Sequence, residues 1–168
     1  AKHVDIASTY ELSGYISKVV PTDFVDIRPV KVDLNNLTII DGSILNLPYS
    51  DKSIESLSCL HVIEHIGLGR YGDYLDPEGL TKSCAELSRV VSVGGYLYLS
   101  TPIGRNNIYF NAHRVSNPEY IVSLFSDTYV LEDFLAVDDS GNLKAGSKPS
   151  DYVNSNYALG MYKFRRVN

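Results

Sequence analysis

The sequence has no apolar run approaching the ~20 residues that a membrane-crossing helix needs, so no such helix is predicted. It has no surplus of basic residues either. The formal charge is −5, and the only basic cluster is Lys163, Arg165 and Arg166, which reads as the solvated face of a strand. Nucleic-acid backbones and anionic membranes select clustered Lys and Arg, so neither is predicted as a partner. Cysteine is scarce. Cys59 lies in an apolar run and reads as a small core residue, and Cys84 is the only other. Two cysteines make no disulfide framework, which points to a reducing compartment, the cytoplasm. No signal-peptide pattern is present. The chain opens without Met, almost directly on strand residues, as a piece excised from a longer protein would.

What is present is an ordinary apolar fraction over 168 residues, enough for one domain with a sizeable core. His3 to Ile6, Asp23 to Ile27 and Leu37 to Ile40 are short β-branched runs, each ended by polar or turn residues, and read as strands. Tyr10 to Val20 has helical spacing and stops at Pro21. Ser53 to Ser56 reads as a turn or short helix, and Ser58 to Ile63 as a buried central strand. Leu80 to Val91 is an amphipathic helix stopped by Gly94-Gly95, and Tyr96 to Ser100 is the next strand. Asn117-Pro118 opens a helix that runs to about Phe125. Tyr129 to Val137 and Tyr157 to Arg165 have no helix between them and read as an antiparallel pair; Asp139 to Ser155 is predicted to be a mobile loop. Alternating strands and helices predict an α/β fold: a Rossmann-like, open, mostly parallel seven-stranded sheet with helices on both faces and a C-terminal antiparallel hairpin.

In such a sheet, ligands bind beyond the carboxyl ends of the strands, near the switch in strand order. The residues to inspect are therefore Ala7 to Thr9, Asp26, Asp41 to Ile44, His61 to His65, and Thr101 to Arg105. A carboxylate at Asp26 is placed to accept both hydroxyls of a ribose. Ser8 and Thr9 are also good caps for the helix that follows. His61-Val62-Ile63-Glu64-His65 fits the H-x-x-E-H spacing of inverted zinc proteases, a chemistry that needs one α-helix through all five residues. The strand leading into it argues against that helix. The turn is assigned instead to the pocket, with Glu64 and His65 near cofactor or substrate and no metal predicted. His113, beyond the fifth strand, is the first candidate for a base, and Arg70, Arg105 and Arg114 are candidates for holding an anion.

Several segments carry a resemblance, in the right order from Val4 to Phe125: VDIAST, FVDIRP, GSILNLPYSDKSIESLSCLHVIEHI, ELSRVVSVGGYLYLSTP and HRVSNPEYIVSLF. Together they resemble the motifs of class I S-adenosylmethionine-dependent methyltransferases, in a branch of undefined function with an unusual insertion, HIGLGRYGDYLDPEGL. The resemblance implies S-adenosylmethionine as cofactor, held by Asp5, Ala7, Ser8, Thr9, Asp26, Ile27, Ser43, Ile44 and His61. It implies catalysis by His113, Glu64 and His65 on a small-molecule acceptor, a carbohydrate or its precursor, at oxygen. It also implies a helix before the first strand that covers the cofactor. Two positions depart from the family. Ala7 to Thr9 carry no glycine where the backbone should approach the ligand, and Ser43 stands where an acid contacts the adenine. A degenerate fold serving as a binding or scaffold module is the alternative these departures raise.

Overall fold

The computed structural model describes residues 2–168. Among the described residues there are ten strands: β1 (His3–Ile6), β2 (Thr22–Asp26), β3 (Leu37–Asp41), β4 (Ile54–Leu60), β5 (Val91–Ile103), β6 (Asn107–Tyr109), β7 (His113–Val115), β8 (Tyr129–Val137), β9 (Leu143–Ala145) and β10 (Ala158–Arg166). Three α-helices join them: α1 (Tyr10–Ile16), α2 (Gly79–Val90) and α3 (Pro118–Ser123). The main sheet has eight strands in the order β3-β2-β1-β4-β5-β10-β8-β9. Strands β3, β2, β1, β4 and β5 are mutually parallel, and β10 and β8 add the antiparallel hairpin. All seven expected strands are there. The eighth, β9, forms inside the stretch expected to be a mobile loop, where Asp139 also accepts the backbone N–H groups of Asn156 and Tyr157, each at 2.9 Å.

Strands β1 and β2 are buried along nearly their whole length. Even-numbered Val4 and Ile6 join a core with Leu57 and Cys59 of β4, Leu97 and Leu99 of β5, and Leu80, Cys84 and Leu87 of α2. Phe125, just past α3, packs 4.9 Å from Phe164 of β10. The opposite face of β1 is polar and meets α1: buried Asp5 accepts from Ser13 of that helix. Thr9 caps α1 and Asn117 caps α3, each side chain accepting backbone N–H groups of the first turn.

Three local expectations are corrected. Strand β4 begins at Ile54, not Ser58, and Ile63 belongs to a 3-10 turn, Ile63–His65. Parallel pairing with β5 accounts for the early start, since Ile54 already pairs with Val91. Helix α1 stops at Ile16, short of Val20, and leaves Val19 exposed. Arg166 is buried rather than solvated: its guanidinium donates to the carbonyls of Ser88 and Val91 at the end of α2, where orphan carbonyls need donors. Lys163 and Arg165 do face solvent and pair with Glu132.

His3 is also buried, with Nδ1 2.8 Å from Ser56 Oγ and Nε2 2.9 Å from Ser58 Oγ. Burial pushes its imidazole below the ordinary value of 6.5, partly offset by Asp5. Folding therefore favours neutral His3. The stability this contributes is complete above 6.5 and is lost as pH falls from there through the lower folded value. Urea unfolding at about pH 7.5 and about pH 5.5 checks this: His3→Gln should narrow the difference between the two, and an unchanged difference would contradict it.

Candidate functional site

A cavity of about 510 Å³ opens at the carboxyl ends of β1 to β4, within the usual range for small-molecule sites. It lies beside the point where the strand order turns from β1 to β4. Ala7, Ser8, Thr9, Asp26, Ile27, Ser43, Ile44, His61 and His65 all line it. Asp5, Glu64 and His113 do not.

Asp5 lies beneath the floor, fully buried. Its Oδ1 accepts from Ser8 Oγ and Ser58 Oγ, both at 2.6 Å, and its Oδ2 from Ser13 Oγ at 2.5 Å. Ser8 Oγ in turn accepts the Leu60 N–H at 3.1 Å. One carboxylate thus ties the turn after β1 to the end of β4. Ala7 sits in that turn at φ +49°, the left-handed region that glycine would occupy without strain.

Asp26 lines the cavity at the end of β2. Its Oδ1 accepts the Arg28 N–H at 2.7 Å, which leaves Oδ2 for a ligand. Beside it, Ile27, Ile44 and Leu45 form an apolar shelf. Ser43 Oγ accepts the Leu45 N–H at 3.2 Å and so shapes this end of the site. The shelf is pinned from α2: Glu86 accepts the Leu47 N–H at 2.6 Å, and Arg89 donates to Tyr49 O and Asp51. Glu86 and Arg89 are the charged residues of the ELSRV segment, so that motif serves the site through its neighbouring loop.

The far wall comes from the insertion between β4 and α2. Tyr71 and Asp73 line the cavity, and the Arg28 guanidinium lies 4.4 Å from the Tyr71 ring, joining the insertion to the β2–β3 loop. Asp73 holds the insertion by accepting the Gly67 N–H at 2.6 Å. Gly67 itself has φ +79°, and a β-carbon there would sit 2.1 Å from Asp76 O. Sequence reasoning missed Arg28 and Asp73. The signal for Arg28 was its place two residues after Asp26; Asp73 gave none.

Past His65 the site changes character. His65 Nδ1 donates to Ala112 O at 2.6 Å, and its ring packs 5.5 Å from Tyr71 and 6.5 Å from His113. His113 lies behind it, between Tyr109 and Tyr157, with Nε2 buried and unpartnered. Arg114 is buried, donates to Ile66 O at 2.5 Å and is pushed below its ordinary value by that burial. It holds the backbone and is not free to grip an anion. Arg70 and Arg105 do not line the cavity either. The H-x-x-E-H residues do not share an α-helix, because His61 is left-handed at φ +60° and only a 3-10 turn follows. Among the described residues, no group of three or more His, Cys, Asp or Glu is arranged to hold a metal ion.

Five parallel strands in this order, an antiparallel hairpin closing the sheet, and a cavity with an acid at the end of the second strand define the class I S-adenosylmethionine-dependent methyltransferase fold. Within it, the chain belongs to the family described as Caenorhabditis protein of unknown function, DUF268, which matches residues 32–150. Solved structures of the same fold include an S-adenosylmethionine-dependent methyltransferase of Methanosarcina mazei, 15% identical with a TM-score of 0.64, covering 99% of this chain and 93% of that one. Another is the 1,6-didemethyltoxoflavin-N1-methyltransferase of Burkholderia thailandensis with bound 1,6-didemethyltoxoflavin and S-adenosylhomocysteine, 11% identical, TM-score 0.67, covering 100% and 72%. A third is the [4+2]-cyclase SpnF, 11% identical, TM-score 0.67, covering 99% and 75%. At these identities the likeness is one of fold. No curated protein matches the sequence.

Proposed function

We propose that this protein binds S-adenosylmethionine in the cavity and transfers its methyl group to an oxygen of a small, carbohydrate-type acceptor. The observation that carries the reading is Asp26, with a carboxylate oxygen free at the cavity wall between the Ala7–Thr9 turn and the Ile27–Ile44–Leu45 shelf. These groups fit the cofactor in sequence. The shelf suits the adenine, Asp26 the ribose diol, and the turn after β1 with His61 and His65 the amino-acid end. When bound, the cofactor supplies a methyl group on a sulfonium, and the electron pair of the broken C–S bond stays on sulfur. The aromatic face of Tyr71 and the Asp73 carboxylate border the space left over, a combination suited to a sugar ring and its hydroxyls.

The cytoplasm remains the compartment we assign. Cys59 and Cys84 are buried free thiols, and burial pushes both up, Cys84 to about 12, so neither is reactive. No helix among the described residues is long and apolar enough to cross a membrane.

The test is thermal unfolding with S-adenosylmethionine and with S-adenosylhomocysteine. Ligand at a hundredfold excess over Kd adds about 2.7 kcal/mol, which raises Tm by about 5–10 °C for a chain of this size. A second reading rests on Ala7, whose β-carbon stands in a left-handed turn against the cavity. If the β-carbon and the missing acid have abolished cofactor binding, the wild-type chain shows no shift up to millimolar ligand. The double variant Ala7→Gly, Ser43→Asp then gains one, and the fold is a binding module.

A further inference from the structure

His61 was assigned above only to the cofactor, yet its surroundings are those of a base. Glu64 is buried, 2% exposed at its side chain, and Oε1 lies 3.1 Å from His61 Nδ1. A carboxylate only accepts hydrogen bonds, so Nδ1 must carry the proton. That leaves the lone pair of neutral His61 on Nε2. Among the described residues Nε2 makes no hydrogen bond, and the side chain is 53% exposed on the cavity wall. The arrangement matches the logic of a hydrolase triad, in which a buried acid fixes the imidazole tautomer and leaves the other nitrogen free to take a proton.

The other histidines are placed differently. His65 gives its Nδ1–H to Ala112 O, and its Nε2 faces Glu64 Oε1 at 3.9 Å rather than open space. His113 does not reach the cavity. His61 alone presents an unengaged nitrogen there. Its backbone is held at φ +60°, a conformation unfavourable for a residue with a β-carbon, which persists where its surroundings impose it. The position is also right. With adenine on the β3 side and ribose at Asp26, the reacting end of the cofactor extends toward β1 and β4, where His61 ends the strand.

We propose that His61 is the general base of this site and Glu64 its positioning residue, the acceptor being a hydroxyl. As the acceptor oxygen forms its bond to the methyl carbon, its O–H bond breaks and the proton passes to His61 Nε2. The imidazolium formed is balanced by the Glu64 carboxylate. This rests on the cofactor reading given above.

Two measurements test it without an identified acceptor. In the ¹⁵N NMR spectrum of the imidazoles, His61 should be the Nδ1–H tautomer in the wild-type protein. Glu64→Gln should release it to the mixture usual for an exposed histidine, because an amide both donates and accepts. A wild-type His61 protonated at Nε2, or a tautomer unchanged in Glu64→Gln, overturns the dyad. The second is site-resolved carbethoxylation by diethyl pyrocarbonate. His61 should react fastest of the four histidines, and S-adenosylhomocysteine at ten times its Kd should slow it about tenfold. Bound S-adenosylhomocysteine that leaves the His61 rate unchanged overturns its place beside the methyl group. No binding at all overturns the cofactor reading and the base role with it, whereas the tautomer still reports whether the dyad exists. Should Glu64→Gln fail to fold, His61→Asn supplies the second variant. Its loss of the fast-reacting site assigns the reactivity to His61, and persistence of that site refutes the assignment.

Discussion

Asp26→Ala raises the Kd for S-adenosylhomocysteine about 10²-fold, as isothermal titration would read it. The carboxylate ends β2 with a side chain 14% exposed, so a ligand there meets a charge that water screens only in part. Hydrogen bonds to a charged group contribute about 1.5–3 kcal/mol each, and a ribose offers two donors to one carboxylate. Oδ1 already accepts the Arg28 N–H, which holds the effect near the lower end of that sum. Asp26→Asn keeps the shape and one acceptor, and weakens binding less. Asp41 is the control. It pairs with Asp26 across the β2–β3 ladder but does not line the cavity, so Asp41→Ala leaves Kd unchanged. A Kd for Asp26→Ala close to wild type would move the ribose elsewhere.

Asp5→Ala lowers folding stability by about 3 kcal/mol and Tm by about 6–12 °C, measured by urea and thermal unfolding. Three serine hydroxyls converge on this one carboxylate, at 2.5 to 2.6 Å, in a fully buried setting. Each lost charged hydrogen bond costs about 1.5–3 kcal/mol, and the relief of desolvating a carboxylate returns part of the sum. Removing it also frees Ser8, whose oxygen holds the Leu60 N–H, so the turn that carries Ala7 loses its tie to β4. Ligand binding should weaken as well, although Asp5 touches no ligand. A loss below about 1 kcal/mol would show that the serines hold the floor without it.

Where sequence reading succeeded, the cause is local. The start of α3 follows from Asn117 and Pro118, whose backbone preferences act within one turn, whereas α2 ends at Val90 as the chain turns extended into β5, four residues before Gly94-Gly95. The placement of Asp26, Ser43 and Ile44 in one cavity follows from the rule that parallel strands send their carboxyl ends to one edge. Where it fell short, the cause is distance along the chain. The start of β4 is set by pairing with β5, some forty residues on, and the burial of Arg166 by carbonyls at the end of α2. Ile54 and Arg166 look unremarkable among their sequence neighbours because the groups that decide their state lie elsewhere.

The α/β architecture, the family resemblance and the set of residues gathered at the strand ends are legible along the linear chain, since periodicity and turn chemistry are written in neighbouring residues. The packing of elements against one another selects which of those residues face the cavity. Asp5 falls beneath it, Arg114 turns to Ile66, and His113 withdraws behind His65. The same packing brings His61 Nδ1 within 3.1 Å of Glu64 Oε1. Burial and hydrogen-bond direction arise from packing between elements, and a linear string of residues does not carry them.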